Sequence, residues 1–295
     1  MRGLETRDLR GVQGSATMHE ADVTQGHLLG GIVRYAQPRH GFRSGIEPVL
    51  LAAAVPARAG ERVLEGGSGA GAALLCLAAR VAGIRGIGVE RDPTLVALAA
   101  RNAAANGWHE LDFMAADIAG PRQVGLTDAD PSDAEPLDIA PLETSALEIG
   151  PLDIGPLDIG LFDHGLANPP YHPALGTASP DVARDVARRA RPGLFAVWAT
   201  WMGQRLRPRG TLTWIVTAAA LPECIAALTQ AGCAPSALLP LWPRVGREAK
   251  LVLIRGVKGG RGGFRVLPGL ILHAEAGGFT PGAEAILRHG AGLAI

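Results

Sequence analysis

A doubly wound α/β fold with a mostly parallel sheet is predicted by three observations. Strand and helix signals alternate along most of the chain, the helical stretches run about 10–15 residues, and glycines crowd the junction between the first buried strand and its helix. "RVLE" (62–65) reads as a short buried strand, followed by glycines and the apolar helix "AALLCLAARVA" (72–82). "IRGIGVE" (84–90) gives a second strand. "DPTLVALAARNAAANG" (92–107) gives a helix with an Asp cap and a Gly stop. "LDFMAADI" (111–118) and "LFDHGLAN" (161–168) are the third and fourth strands. Helices are expected around 181–190 and 194–207, then a strand at 210–218, a helix at 222–232 and a late strand at 249–256.

Between the third and fourth strands runs "PLDIAPLETSALEIGPLDIGPLDIG" (136–160), five pentads in register. Proline every few residues forbids a helix, and five pentads are too short a solenoid to bury a core. Residues 121–160 are therefore expected to be an irregular, low-complexity acidic insertion within a single domain. An acidic arm that competes for a basic face is the sharper alternative. Residues 1–27 are expected to be a disordered leader, with Met1 or Met18 as the start, and 28–295 the folded domain.

The chain has 295 residues, 47% hydrophobic and 19% charged, within the range of ordinary soluble domains. No apolar run reaches the roughly 18 residues of a membrane span, and the first residues lack a secretory apolar core, so a cytoplasmic location is expected. Cys76, Cys224 and Cys233 form no CxxC pair and are expected to be buried thiols; no metal site is indicated. A net charge of zero argues at first against a nucleic-acid partner. Residues 126–160, however, hold nine acids and no Lys or Arg. The rest of the chain keeps 28 bases against 19 acids, a net of +9.

"VLEGGSGAG" (63–71) sets Gly67, Gly69 and Gly71 at alternate positions, where the backbone must turn sharply and approach a ligand. The spacing is ExGxGxG rather than the dinucleotide GxGxxG. S-adenosylmethionine carries a sulfonium and an amino acid in place of a pyrophosphate, so Glu65 suits its ammonium end and would repel a phosphate. Glu90 ends the second strand, placed to accept from both ribose hydroxyls. Asp117, after the third strand, could accept from the adenine amino group.

"ANPPYH" (167–172) follows the fourth strand. As a bare turn it simply ends the strand. Beside a methyl donor it has a chemical use. The Asn168 side-chain oxygen and the Pro169 carbonyl could accept both hydrogens of an sp2-attached amino group, favouring the pyramidal nitrogen of the transition state. Pro169 and Pro170 stiffen the loop, and Tyr171 offers a face for a flipped base or planar amide.

Together, NPPY and "VLEGGSGAG" resemble class I methyltransferases acting on amino groups of adenine or glutamine. "YAQPRHGFRSGIEPVLLAAAVPA" (35–57) resembles the amino-terminal signature of the bacterial valine-tRNA adenine-37 N6-methyltransferase family, on Gln37, Gly41, Phe42, Arg43, Ile46 and Glu47. The resemblance runs over roughly 28–290 apart from the insertion, with Glu47 in place of the commoner Asp. It implies a seven-stranded Rossmann-like sheet and a tRNA substrate, with no obligate protein partner. It places Gln37, Arg43 and Asn168 at the cofactor pocket. Basic residues suited to phosphates cluster at Arg34, Arg39 and Arg43 and at Arg244, Arg247 and Lys250, with a further group at Arg184, Arg188, Arg189 and Arg191. Methylation of a glutamine amide in a protein, or of adenine in another RNA or DNA, uses the same nitrogen chemistry. A catalytically silent RNA- or partner-binding module is the reading without chemistry.

Overall fold

A computed structural model describes residues 22–40, 43–120, 159–170, 172–173, 189–190 and 193–295. The elements in chain order are β1 (Val23–Leu28), β2 (Val33–Pro38), α1 (Glu47–Ala54), β3 (Arg62–Gly66), α2 (Ala72–Arg80), β4 (Arg85–Glu90), α3 (Pro93–Ala105), β5 (Leu111–Ala115) and β6 (Phe162–Ala167). They continue as β7 (His172–Pro173), β8 (Arg189–Ala190), α4 (Leu194–Gln204), β9 (Leu206–Thr217), α5 (Leu221–Gln230), β10 (Cys233–Trp242), β11 (Leu251–Lys258), β12 (Arg265–Val266), β13 (Leu270–Ile271) and α6 (Pro281–His289). No helix among the described residues is long and apolar enough to cross a membrane.

The main strands lie in the order β5-β4-β3-β6-β9-β11-β10. The first five run parallel, β11 is antiparallel to both neighbours, and β12 and β13 pair with successive stretches of the outer edge of β10. The order reverses between β3 and β6, the crevice where open α/β sheets bind ligands. Side chains alternate across the sheet, as strand geometry requires. Val63, Leu166, Ile215 and Leu253 face a core shared with α1, α2 and α6. Leu64, Phe162, Trp214 and Ile254 face the other, shared with α4 and α5. The three cysteines are buried and unpaired.

Two expectations about element boundaries need correction. β1 begins at Val23, so the domain starts inside the stretch assigned to a leader. It pairs antiparallel with β2 along its whole length and buries Val23, which supplies the reason. The helix expected around 181–190 lies outside the described residues except at its end, where Arg189–Ala190 form β8, parallel to β7. Most of the acidic insertion, residues 121–158, also lies outside them.

The β1–β2 hairpin is not hydrogen-bonded to the main sheet; side chains of α3 hold it. The Asn102 amide accepts from the Ala36 N–H (2.9 Å) and donates to the Ala36 carbonyl (2.8 Å). One turn on, Asn106 does the same at Arg34, with bonds of 2.9 and 2.8 Å. Each amide thus takes the place of a missing strand partner, because residues four apart share a helix face. Asn102 also donates to the Ala70 carbonyl (3.0 Å), tying the hairpin to the glycine loop. Asn is a mediocre helix former, and Asn102 is buried. Asn102→Ala would leave three buried backbone groups unsatisfied, an expected loss of about 2–4 kcal/mol. A urea unfolding midpoint checks it; an unchanged midpoint would show the amide clamp to be dispensable.

Candidate active site

Strand register assembles the site. Gly66 of β3 stands opposite Val89 of β4 on one side and Ala167 of β6 on the other, and Glu90 pairs with Ala115 of β5. One residue further along, Asn168, Gly67, Glu90 and Ala116 leave neighbouring strands at the carboxyl edge. With strands about 4.8 Å apart, Asn168 lies roughly 5 Å from the Gly67 strand and roughly 10 Å from that of Glu90.

The glycine loop is held from below. The Gly67 and Ser68 N–H groups both donate to the Val89 carbonyl, at 2.8 and 3.1 Å. Gly67, Gly69 and Gly71 have φ of +66°, +54° and +89°, the left-handed region that favours glycine. A Cβ on Gly67 would come within 2.7 Å of the Trp198 ring, and one on Gly71 within 3.0 Å of Phe113. A Cβ on Gly69 would meet nothing within 4 Å among the described residues. The loop is thus packed at its ends and open in the middle.

Neither a family model nor a curated protein matches this chain. Several solved structures do. Precorrin-6y C5,15-methyltransferase from Geobacter metallireducens aligns at 11% identity over 76% of this chain and 93% of its own, with a TM-score of 0.45. TrmN from Thermus thermophilus aligns at 18% over 69% and 46%, with a TM-score of 0.39. A predicted O-methyltransferase from Agrobacterium tumefaciens aligns at 22% identity over 84% of this chain and 99% of its own, with a TM-score of 0.60. The chain has the Rossmann-like class I methyltransferase fold. That assignment rests on the last of the three.

Within this methyltransferase fold, Glu90 is the organising carboxylate. Its Oε2 accepts from the Gly69 N–H (2.9 Å) and its Oε1 from the Asp92 N–H (3.1 Å). Each oxygen keeps a further lone-pair site for a ligand hydroxyl. Burial pushes its carboxyl upward, against the pull of those two N–H donors. Asp92 in turn caps α3 by accepting from the Thr94 N–H (2.9 Å).

Glu65 is buried and accepts from the Leu74 N–H at the start of α2 (3.1 Å). Burial raises its carboxyl well above the usual range, with Glu90 adding to the rise. Tyr35, a neighbour of Glu65, shares a hydrogen bond with Ser44 (2.8 Å) and is itself pushed up by burial. The raised Glu65 carboxyl fixes a sign for stability. The folded state binds the proton more tightly than the unfolded state, so stability falls as pH rises from the ordinary carboxyl value through the raised one. Glu65→Gln keeps an acceptor for Leu74 and removes the charge. It is expected to raise the thermal midpoint at neutral pH, with the gain shrinking on acidification. A gain independent of pH would contradict this.

Asn168 places its Oδ1 in a buried position with no hydrogen-bond partner among the described residues, although the residue as a whole is only half-buried. Native structures leave few such acceptors. Ser68 Oγ and Trp198 Nε1 are likewise unpartnered among the described residues, and the Trp198 ring packs on Gly67. Pro169 is buried and Pro170 half-buried, while Tyr171 lies outside the described residues. Asp117 is exposed, and its Oδ1 accepts from the Ala119 N–H (2.9 Å), leaving Oδ2 open.

The donor set fits S-adenosylmethionine. Glu90, beside the open Gly69, offers acceptors to ribose hydroxyls, and a cation placed near the buried Glu65 would favour its charged form.

Other predicted residues are spread more widely. Gln37 uses its Oε1 to accept from the Ser44 N–H (3.1 Å), closing its own loop, and Arg43 is exposed. No hydrogen bond among the described residues joins either to Glu65 or Glu90. Arg34 sits against Asn106, at the end of α3 away from Glu90, about 20 Å along a 13-residue helix. Arg39 reaches the Val23 carbonyl at 3.5 Å. Arg244, Arg247 and Lys250 are exposed on the β10–β11 turn, at the carboxyl edge. Arg184, Arg188 and Arg191 lie outside the described residues, as do Gly41 and Phe42. Sequence reasoning passed over Asn102, Asn106, Ser68 and Trp198; an Asn pair spaced i, i+4 on a helix was the one readable signal.

Proposed function

We propose that this protein is an S-adenosylmethionine-dependent N-methyltransferase acting on the exocyclic amino group of an adenine in tRNA, the anticodon-loop adenine being the target. The observation that carries this reading is the buried, unpartnered Asn168 Oδ1, one strand away from the glycine loop. When bound, S-adenosylmethionine supplies an electrophilic methyl group on a sulfonium. Gly67, Gly69 and Gly71 let the loop follow the donor, Glu90 accepts from its ribose hydroxyls, and Glu65 and Asp117 face its ammonium and adenine ends. Asn168 Oδ1 and the Pro169 carbonyl accept the two amino hydrogens. That draws the nitrogen lone pair out of conjugation and orients it along the line of attack. Pro169 and Pro170 hold these acceptors still, and Tyr171 stacks on the base. The amino proton leaves to water after the nitrogen has gained the methyl group and a positive charge.

The tRNA substrate is supported by the sequence resemblance, by the net charge of +9 outside residues 126–160, and by the exposed Arg244, Arg247 and Lys250 at the same sheet edge. The test is methyl incorporation into total tRNA from cells lacking the activity, with the modified nucleoside identified by mass spectrometry. N6-methyladenosine in one tRNA is the expected result. No incorporation by correctly folded protein removes the tRNA claim, and label in a glutamine of a protein replaces it.

A further inference from the structure

A cavity of about 790 Å³ opens beside the β10–β11 turn, lined by Trp242, Arg244, Val245 and Arg247 on one side and by Leu270 and Ile271 on the other. It is separate from the cofactor crevice. Ala167 of β6 pairs with Trp214 of β9, and β9 ends at Thr217 opposite Leu251 of β11, which pairs with Leu241 of β10. The cavity thus lies on the same carboxyl edge as Asn168 but three strand spacings away, about 14 Å.

Its walls are held by the pairing of Leu241 and Trp242 of β10 with Leu270 and Ile271 of β13, and by side-chain bonds around them. Trp242 Nε1 donates to the Pro268 carbonyl (3.1 Å), which immobilises the indole. Gly269, at φ +92°, passes so close that a Cβ there would stand 2.4 Å from that nitrogen. Arg244 Nη1 donates to the Ala274 carbonyl (2.7 Å), fastening the turn to the segment before α6. At the rim, two side chains remain uncommitted. Val245 is 64% exposed, and the Arg247 side chain makes no hydrogen bond or ion pair among the described residues. Glu248 also lines the wall and could accept from a base amino group.

The geometry points to a second recognition site in this cavity, which takes a nucleotide flanking the methylated adenine. This rests on the proposed RNA substrate. Apolar walls with one fixed indole suit a nucleobase face, and a free guanidinium at the rim suits the phosphate beside it. A base drawn out to Asn168 leaves its neighbours unstacked, and a few nucleotides of single strand span the distance to Trp242. The size lies within the range of sites that enclose small organic groups. A polypeptide would find little here beyond the apolar wall, and the positive rim favours the polyanion.

The test uses the full chain and anticodon stem-loop RNAs carrying 4-thiouridine a few nucleotides to either side of the target adenine. Arg247→Glu is compared with Arg101→Glu, a charge reversal on exposed α3 away from the cavity. The expected result is a cross-link within residues 242–248, and RNA affinity lowered about tenfold or more by Arg247→Glu alone. Cofactor affinity stays unchanged in both variants. Wild-type methylation with cross-links elsewhere, or an equal loss from both reversals, overturns the cavity assignment and leaves the methyl-transfer reading standing. Failure of the wild-type protein to bind or methylate RNA removes that reading and the cavity assignment with it.

Discussion

Asn168→Ala is expected to lower kcat by about 10²–10³-fold, the usual cost of deleting one preorganised charge-stabilising group. The companion measurement is stability. Because Asn168 Oδ1 has no partner among the described residues, its removal breaks none of their hydrogen bonds and relieves the cost of a buried, unsatisfied acceptor. The thermal midpoint should therefore hold or rise while turnover collapses. Asn168→Asp sharpens the test, since a carboxylate keeps an acceptor but adds charge. Single-turnover kinetics at saturating cofactor separate chemistry from binding. Unchanged turnover in the alanine variant would reduce NPPY to a strand terminator and favour the silent-module reading.

Glu90→Ala is expected to weaken S-adenosylmethionine binding by about 10–100-fold, the size of one or two hydrogen bonds to a charged group. Two effects add. The ribose hydroxyls lose their acceptor, and the Gly69 and Asp92 N–H groups lose theirs, so the loop loosens where it is open. Glu90→Gln keeps one oxygen acceptor and should fall between wild type and alanine. Acidity supplies a second readout. Because burial raises the Glu90 carboxyl, binding should weaken on mild acidification, before an ordinary Glu would protonate. Titration calorimetry across this range measures both. An affinity flat in pH, with alanine behaving as wild type, would take Glu90 out of the cofactor site.

Much of the candidate site's geometry was legible in the sequence because its residues sit on short, contiguous motifs. Glu65, Gly67, Glu90 and Asn168 end buried parallel strands whose apolar runs are plain, and the parallel sheet aligns those ends automatically. β10 was missed because Pro235 and Pro240 argue against a strand. The structure accommodates Pro235 at a break in register and Pro240 between the stretches that β12 and β13 pair. β1 and β2 were missed because their outward residues are polar and the partner that completes them is a pair of helix side chains. The cavity joins 242–248 to 268–280, and no local pattern announces a contact made only by folding.

The triple bond set of Asn102 ties the β1–β2 hairpin to the glycine loop. One amide grips the β2 backbone and the Ala70 carbonyl, so ordering the glycine loop around a ligand also steadies the hairpin that leads to the Gln37–Arg43 segment. Linkage requires the converse in equal measure: an RNA that pressed on this segment would tighten the hold on S-adenosylmethionine by the same factor. Ordered cooperativity between two substrates would then arise from one helical amide, with no domain closure.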